Sequence, residues 1–242
     1  MPNRQFVVRK GSPSGPKWSE NSPTRQLGGL PTTCPLPLFS QLTDFLRKQK
    51  NMEKEKVPLT DARKAAAAIL RQLRKFCVKC KVAGSIRRKK SMVSDIEVLF
   101  IPQTDQVADP NDLFGHNIPV DYLVEALKVL QALGILERRK TKKGRVTYGK
   151  WIKLMRHVKT GIAVDFFACT PETWWTSLVS RTGGKASNEI LSGKAKARGF
   201  KWRPNGGGFS TRSSKTIVFP VNSEAAAFRF VKMEYRRPEL RP

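Results

Sequence analysis

Three carboxylates in apolar segments are the residues of this sequence best suited to chemistry. Asp95 and Glu97 stand two positions apart where the apolar run Ile96–Ile101 begins, and this run is typical of a buried strand. Because side chains alternate along a strand, both carboxylates leave the same face and repel each other unless a cation compensates them. A divalent metal ion meets this need where phosphates are handled. Asp165 lies in a second apolar segment, residues 161–170, where an unpaired carboxylate is costly.

A small-residue turn precedes the first two acids. Gly84 allows the backbone to approach a ligand closely, and Ser85 with the following N–H groups can bind a phosphate at the start of a helix. A basic segment that includes Arg87 and Arg88 comes next. The sequence therefore predicts an anion site beside a cation site, whereas the alternative is a hairpin with a solvated charged edge.

The combination of Gly84-Ser85, Arg87-Arg88, Asp95 and Glu97 resembles the signature of the nucleotidyltransferase superfamily, and more closely that of the family X (polymerase beta-like) DNA polymerases. The resemblance continues in pieces over residues 56–242. It implies a minimal form of the family that lacks the lyase and helix-hairpin-helix domains of larger relatives.

This resemblance implies roles for individual residues. Asp95, Glu97 and Asp165 would be the catalytic acids that bind two Mg²⁺ ions, with Mn²⁺ as an alternative. Ser85 and Arg88 would bind the β and γ phosphates, whereas Arg87 is left open between ligand contact and a structural salt bridge. The implied nucleotide-binding residues are Gly84, Ser85, Arg88, Ser94, Thr182, Gly183 and Asn188.

The charge of the chain indicates its partner. There are 46 Lys and Arg residues against 19 Asp and Glu, which gives a formal net charge of +27, so a polyanion such as DNA is the expected partner. Within residues 137–158, cations surround Tyr148 and Trp151, and Lys143-Gly144 resembles a hairpin turn. Nucleic-acid contact is favoured over a plain surface hairpin. The expected DNA-binding residues are Arg145, Lys150, Lys153 and Arg181.

Three positions depart from the family pattern. Glu97 stands where aspartate is usual, so its carboxylate reaches one methylene further. Ser180-Arg181 replaces an aromatic pair before the Thr-Gly turn, which leaves discrimination against ribonucleotides open. The arginine that usually lies two residues before the third acid is Ala163, which leaves open what tunes Asp165.

The expected fold class is α+β: a nucleotidyltransferase palm, with a mixed sheet and helices on one side, followed by a small α/β thumb subdomain. We expect a flexible basic arm at 1–35, the palm at 36–170 and a thumb-like nucleotide-binding part at 171–242. Helices are predicted over 36–50, from a cap at Thr60 to Phe76, and from Pro119 to near Gly134. Residues 103–115 are expected to form a polar loop.

The four cysteines show no disulfide framework. Cys77 and Cys80 form a CxxC pair without a second pair, so buried or idle thiols are favoured over a metal or redox site. A reducing compartment follows: the cytoplasm, including a nucleoid or a host cell, with the nucleus left open. The Arg-rich start could also be an organelle transit peptide. No membrane span and no heptad pattern are seen, which predicts a monomer.

The function expected from the resemblance is DNA-directed DNA polymerisation, in which a dNTP is joined to a primer 3′-hydroxyl during gap filling or repair. One alternative is a template-independent or RNA-end nucleotidyltransferase. The other is a catalytically silent DNA-binding protein.

Overall fold

The structure is a computed structural model that describes residues 56–109, 117–141 and 143–242. The predicted basic arm at 1–35 and the predicted helix at 36–50 lie outside the described residues. In chain order the described strands are β1 (Val57–Pro58), β2 (Cys77–Val82), β3 (Met92–Val93), β4 (Asp95–Pro102), β5 (Thr104–Ala108), β6 (Asn117–Asp121), β7 (Leu136–Arg138), β8 (Ile152–His157), β9 (Ala163–Ala168), β10 (Phe200–Arg203), β11 (Gly208–Thr211) and β12 (Ile217–Pro220). The helices are α1 (Leu59–Leu73), α2 (Gly84–Arg87), α3 (Tyr122–Ala132), α4 (Trp174–Thr182), α5 (Lys185–Ala197) and α6 (Glu224–Phe230), with 3₁₀ turns at Arg74–Phe76 and Pro238–Leu240.

A five-stranded mixed sheet is the centre of the described fold. Its strand order is β2-β4-β9-β8-β7, and β4 and β9 run parallel while the other neighbours are antiparallel. The prediction of an α+β fold built on a mixed sheet is confirmed.

Helices α1 and α3 cover one face of this sheet. The alternation along β4 directs Ile96, Val98 and Phe100 into the core beneath them, together with Leu70 and Leu127. The other face of β4 carries Asp95 and Glu97, and beyond these acids it is covered by α4. Leucine and tryptophan side chains of α4 pack there against Leu99 and Phe167. This second apolar cluster consists of Leu99, Ile101, Phe167, Cys169, Trp174 and Leu178.

Helix α1 begins before the predicted cap at Thr60. The helix begins at Leu59 directly after Pro58, and Thr60 lies inside its first turn instead of capping it. No side chain caps this end; Pro58 occupies the cap position, and the Leu59 N–H donates a hydrogen bond of 2.9 Å to the carbonyl of Ser91. The alanine-rich middle of α1 has high helix propensity, as expected.

The predicted polar loop at 103–115 is wrong in its first half. Strand β5 pairs antiparallel with β6, from Thr104 opposite Asp121 to Ala108 opposite Asn117. Most side chains of both strands are exposed, so neither face buries an apolar row that would mark the strands in the sequence. Residues 110–116 lie outside the described residues.

The C-terminal part has a core of its own. Helices α5 and α6 pack with the antiparallel sheet β10-β11-β12 around Trp202, Phe209 and Phe228. Ser223 caps α6, because its Oγ accepts a hydrogen bond of 3.1 Å from the Ala226 N–H. Helix α4 contributes Val179 to this core and Leu178 to the cluster on the central sheet, and the division into a palm and a thumb-like part near residue 170 stays a prediction.

Two further observations concern thiols and membranes. A register shift between Cys77 and Lys79 in β2 brings the side chains of Cys77 and Cys80 to the same core, where the Cys77 thiol donates a hydrogen bond of 3.5 Å to the carbonyl of Leu73. Cys169 is buried, and these three cysteines are free. Among the helices that the structure describes, none has the length and apolar character needed to cross a membrane.

Candidate active site

The three predicted acids share one face of the central sheet. Parallel pairing places Glu97 directly opposite Asp165, and Asp95 lies two residues before Glu97 on the same strand. Asp165 is buried, with 8 % of its surface exposed, and the other two acids are half-buried. Like charges at this separation and burial favour bound cations.

Gly84 lies directly against the carboxylate of Glu97. Its φ is +59°, and a Cβ added to it would lie 2.0 Å from Glu97 Oε2. No residue other than glycine fits this contact without displacing the carboxylate. Burial first, and then the neighbouring charge of Asp95, raises the pKa of Glu97 to about 7, although Arg181 and Arg88 act in the opposite direction. The site therefore stabilises positive charge beside Glu97.

Asp165 is bound by an arginine that the sequence analysis did not identify. Arg139 Nη2 donates hydrogen bonds of 2.6 Å to Oδ1 and 2.8 Å to Oδ2, and its Nε donates one of 3.2 Å to Oδ1. Arg139 follows β7, and its backbone N–H bonds to the carbonyl of Leu154, the residue opposite Asp165 on β8. The order of three strands creates this contact, so no local sequence signal could have indicated it.

Arg181 is a second cation beside the acids. Its guanidinium lies 3.6 Å from the centre of the Phe167 ring. Burial lowers its pKa, while the charges of Glu97 and Asp165 raise it. Sequence reasoning assigned Arg181 to DNA, and the structure places it among the carboxylates.

The donor atoms of the three acids fit Mg²⁺, which prefers carboxylate oxygens. Ser94 Oγ donates a hydrogen bond of 3.4 Å to Asp95 Oδ1 and so helps to orient that acid. Among residues 56–109, 117–141 and 143–242, however, no group of three Asp, Glu, His or Cys side chains is arranged to hold a metal ion. Arg139 engages both oxygens of Asp165, which limits the acceptor positions that this acid can offer to an ion.

The predicted phosphate-binding residues lie together beside the acids. Arg88 Nη1 donates a hydrogen bond of 2.6 Å to the carbonyl of Thr182, which joins the Gly84-Ser85 turn to the Thr182-Gly183 turn. Asn188 Nδ2 donates to the carbonyls of Ser180, at 2.8 Å, and Gly183, at 3.3 Å, and so fastens the second turn.

Two polar atoms in this region are buried without a hydrogen-bond partner among the described residues. They are Ser85 Oγ and Arg88 Nε. Buried polar groups are rarely left unsatisfied, so an unpaired hydroxyl and an unpaired guanidinium N–H in the same helical turn indicate an anionic ligand.

Arg87 has a structural role. It donates to Glu224 Oε1 at 2.9 Å and to Oε2 at 2.6 Å, and it also bonds Thr182 Oγ1. Arg241 donates to Glu224 Oε1 from the other side at 2.8 Å. Of the two roles left open for Arg87, the salt bridge is the one observed.

The predicted DNA-binding cations divide into two groups. Arg145 and Lys150 are exposed, and the ammonium of Lys150 lies 5.1 Å from the ring centre of Trp151. Lys153 does not fit a DNA contact, because it is 2 % exposed and its ammonium donates to the carbonyls of Gly149 and Lys150. Its position opposite Phe166 on β9 directs it into the core face. The alternation of strand β8 was the missed signal.

A cavity of about 490 Å³ adjoins the site on the same face. Arg181 and Phe167 form its border toward the acids, and Trp151, Thr173 and Ser177 line its other side. Its size and mixed lining suit a ring system with polar substituents.

Comparison with known proteins identifies the class of fold. The mixed sheet, its helices and the acid-bearing strands are consistent with the polymerase beta-like nucleotidyltransferase fold. Among solved structures, the chain is similar to Leishmania infantum polymerase beta in a ternary P/T complex, with a TM-score of 0.55 and 18 % identity over 78 % of this chain and 77 % of that one. No family model matches the sequence. No curated protein matches it either.

Proposed function

We propose that this protein is a metal-dependent nucleotidyltransferase of the polymerase beta type, a family X member that joins a dNTP to a DNA primer 3′-hydroxyl. The observation that carries the proposal is the pairing of Glu97 with Asp165 across β4 and β9, next to a turn whose Ser85 hydroxyl is buried and unsatisfied. Cation-binding and anion-binding groups thus lie side by side, as transfer from a nucleoside triphosphate requires.

Each group then has a chemical task. Asp95, Glu97 and Asp165 would hold Mg²⁺ or Mn²⁺, which when bound lowers the pKa of an attacking hydroxyl and neutralises phosphate charge. Ser85 and Arg88 would donate hydrogen bonds to the terminal phosphates and stabilise the departing pyrophosphate. The Thr182-Gly183 turn, held by Asn188, would position the sugar and base.

DNA is the proposed polymer because of the net charge of +27 and the exposed cations beside Trp151. Gap filling or repair is the proposed setting, and a monomer is the proposed state. A second candidate, a transferase that accepts ribonucleotides or RNA ends, is favoured by one observation. Arg181 stacks on Phe167 directly before the Thr182-Gly183 turn, at a position where the family that the chain resembles has an aromatic residue. Without that aromatic residue, discrimination against ribonucleotides is left open.

Primer extension tests the proposal. Labelled gapped, recessed and single-stranded DNA would be incubated with dNTPs or NTPs and Mg²⁺ or Mn²⁺, with the wild type and with Asp95→Ala. We expect template-matched addition by the wild type and none by the variant, while DNA affinity changes less than about two-fold because the acid contributes to chemistry and not to phosphate contact. Addition only to single strands or RNA would favour the second candidate. DNA binding without addition under any condition would leave a silent binder.

A further inference from the structure

The contact between Arg139 and Asp165 has a consequence that the proposed function does not contain, although it rests on that function. Three hydrogen bonds from one guanidinium occupy the two carboxylate oxygens, and both side chains are largely buried, at 14 % and 11 % exposure. A carboxylate has about four acceptor positions, so most of those of Asp165 are in use. The fixed positive charge at the same edge also repels a divalent cation.

Among the described residues the three acids share a face but form no metal-binding group, and one of the three is engaged by Arg139. Asp165 can join Asp95 and Glu97 on an ion only when Arg139 gives up part of its bidentate bond. Leaving a largely buried guanidinium without an acceptor is unfavourable, so the release of Asp165 requires another oxyanion for Arg139.

A DNA backbone phosphate has the required chemistry. Phosphate, like carboxylate, accepts two parallel hydrogen bonds from a guanidinium, so the exchange keeps Arg139 satisfied. Arg139 lies on the acid-bearing face, and exposed cations flank it at Arg138 and Lys140. Phosphates drawn to this segment by its charge would arrive next to the bidentate pair.

We propose that Arg139 is a positioning residue that holds Asp165 away from the metal site until a DNA phosphate takes its guanidinium, so that DNA binding assembles the complete three-acid site. Asp95 and Glu97 then bind a first divalent cation without DNA, and the second ion depends on DNA. By linkage, the second ion strengthens DNA binding by the same factor.

The neighbouring arginine provides a matched control. Arg138 is adjacent in sequence, but its guanidinium lies 4.1 Å from the ring centre of Tyr148 and donates to Gln131 Oε1 at 3.0 Å. It contributes the same charge to the same segment, and its guanidinium is engaged by Tyr148 and Gln131. A change at Arg138 therefore removes the same charge from this segment and leaves the bidentate bond of Arg139 to Asp165 in place.

Mn²⁺ binding provides a readout that does not depend on turnover. Free Mn²⁺ would be measured by electron paramagnetic resonance, with and without a duplex whose primer ends in a dideoxynucleotide. For the wild type and Arg138→Gln we expect Mn²⁺ to occupy one site without DNA and two sites with DNA. DNA should raise the affinity of the second site at least about ten-fold, as allosteric coupling energies commonly allow. For Arg139→Gln we expect two ions in both cases, with affinities within about two-fold. Arg139→Lys keeps the charge but not the bidentate geometry and should lie between these results.

Each other outcome overturns the inference. Unchanged coupling in Arg139→Gln would mean that Arg139 does not hold Asp165 back, and a lost second site even with DNA would mean that it only orients the acid. Melting curves establish whether the variants fold. If Arg139→Gln does not fold, Arg139→Lys replaces it as the test variant. Two negative results remain distinguishable. If the wild type binds no Mn²⁺ ion whose binding is lost in Asp95→Ala, the proposed function itself fails. If it binds one such ion and DNA does not add a second, only the role of Arg139 fails.

Discussion

At the scale of single residues, the contact of Gly84 with Glu97 imposes the strictest requirement in the site. The backbone at Gly84 has φ = +59°, and the missing side chain leaves the space that Glu97 Oε2 occupies. The Glu97 carboxylate is one methylene longer than the aspartate usual in the family it resembles. Its end lies over the glycine, so the longer acid and the small residue are matched to each other.

We predict that Gly84→Ala lowers the rate of nucleotide addition by about 100-fold, since displacement of a catalytic group by about 1 Å has effects of that size. The added Cβ must displace the Glu97 carboxylate from its present position. Gly134→Ala is the control, because Gly134 has φ = +67° and nothing within 4 Å of the added Cβ. Both variants carry backbone strain of about 1 kcal/mol. Equal loss of activity in both would show that strain, and not the clash, matters.

The glycine turn, Asp95 and Glu97 could be predicted from the sequence because their types and spacing form one pattern within residues 84–97, and Asp165 could because it is an acid inside an apolar segment. Arg139 could not, because its relation to Asp165 depends on how β7, β8 and β9 pair. Lys153 was misassigned for another reason: composition indicates a cation, but its alternation with Met155 along β8, on the side that faces the core, was overlooked.

At the scale of elements, Glu224 joins three parts of the fold. It begins α6, and it accepts hydrogen bonds from Arg87 at the end of α2 and from Arg241 near the 3₁₀ turn Pro238–Leu240. Burial alone would raise the pKa of Glu224, but the two arginines outweigh it and hold the pKa below its usual range. The helix that follows the glycine turn is thereby tied to the C-terminal subdomain.

This arrangement predicts a pH dependence of stability. Because the folded pKa of Glu224 is lowered, its contribution is fully present above the unfolded value of about 4.5 and is lost as the pH falls through the folded pKa. We expect Glu224→Gln to lower the free energy of unfolding at pH 7 by about 3 kcal/mol, because two arginines lose their counter-charge.

Urea unfolding of the wild type and Glu224→Gln at pH 7 and pH 3 measures this difference. The gap between the two proteins should narrow at pH 3. Glu239→Gln is the control, since Glu239 forms an exposed ion pair with Lys89 and its loss should have no measurable effect. A gap that is constant with pH would contradict the assignment.

The elements themselves were largely predictable. The apolar periodicity of α1 and α3, the apolar run of β4 and the Ser223 cap each carry a local signal, and the structure agrees with them. The β5-β6 hairpin carries no such signal, because its two strands stabilise each other by backbone pairing while most of their side chains remain in water.

At the scale of the whole molecule, charge determines how the protein meets its substrate. The net charge of +27 predicts DNA binding that weakens steeply with salt, because each neutralised phosphate releases counterions. Exposed and buried cations should contribute differently to this dependence, which allows them to be distinguished by experiment.

We predict that Arg145→Ala and Lys150→Ala each reduce the slope of log affinity against log salt by about 1. Lys153→Met should leave the slope unchanged, because the Lys153 ammonium is bonded to carbonyls inside the fold. Fluorescence anisotropy of a labelled duplex between 50 and 300 mM salt, roughly the range in which counterion release is resolved, measures the slopes. A reduced slope for Lys153→Met would restore that residue as a phosphate contact.

The parallel pairing of β4 with β9 also affects how the molecule folds. Residues of β5 to β8 and α3 separate Glu97 from Asp165 in the chain. Pairing β4 with β9 must therefore close a long loop, and the loss of chain entropy comes before the contacts that compensate it. Contacts of high sequence separation slow folding. On a ribosome, the glycine turn and the first two acids emerge well before β9. Until β9 emerges, one edge of β4 has no partner strand and the apolar side chains of β4 are less covered. The residues that bring the three acids together are therefore also the ones that expose the nascent chain longest to aggregation.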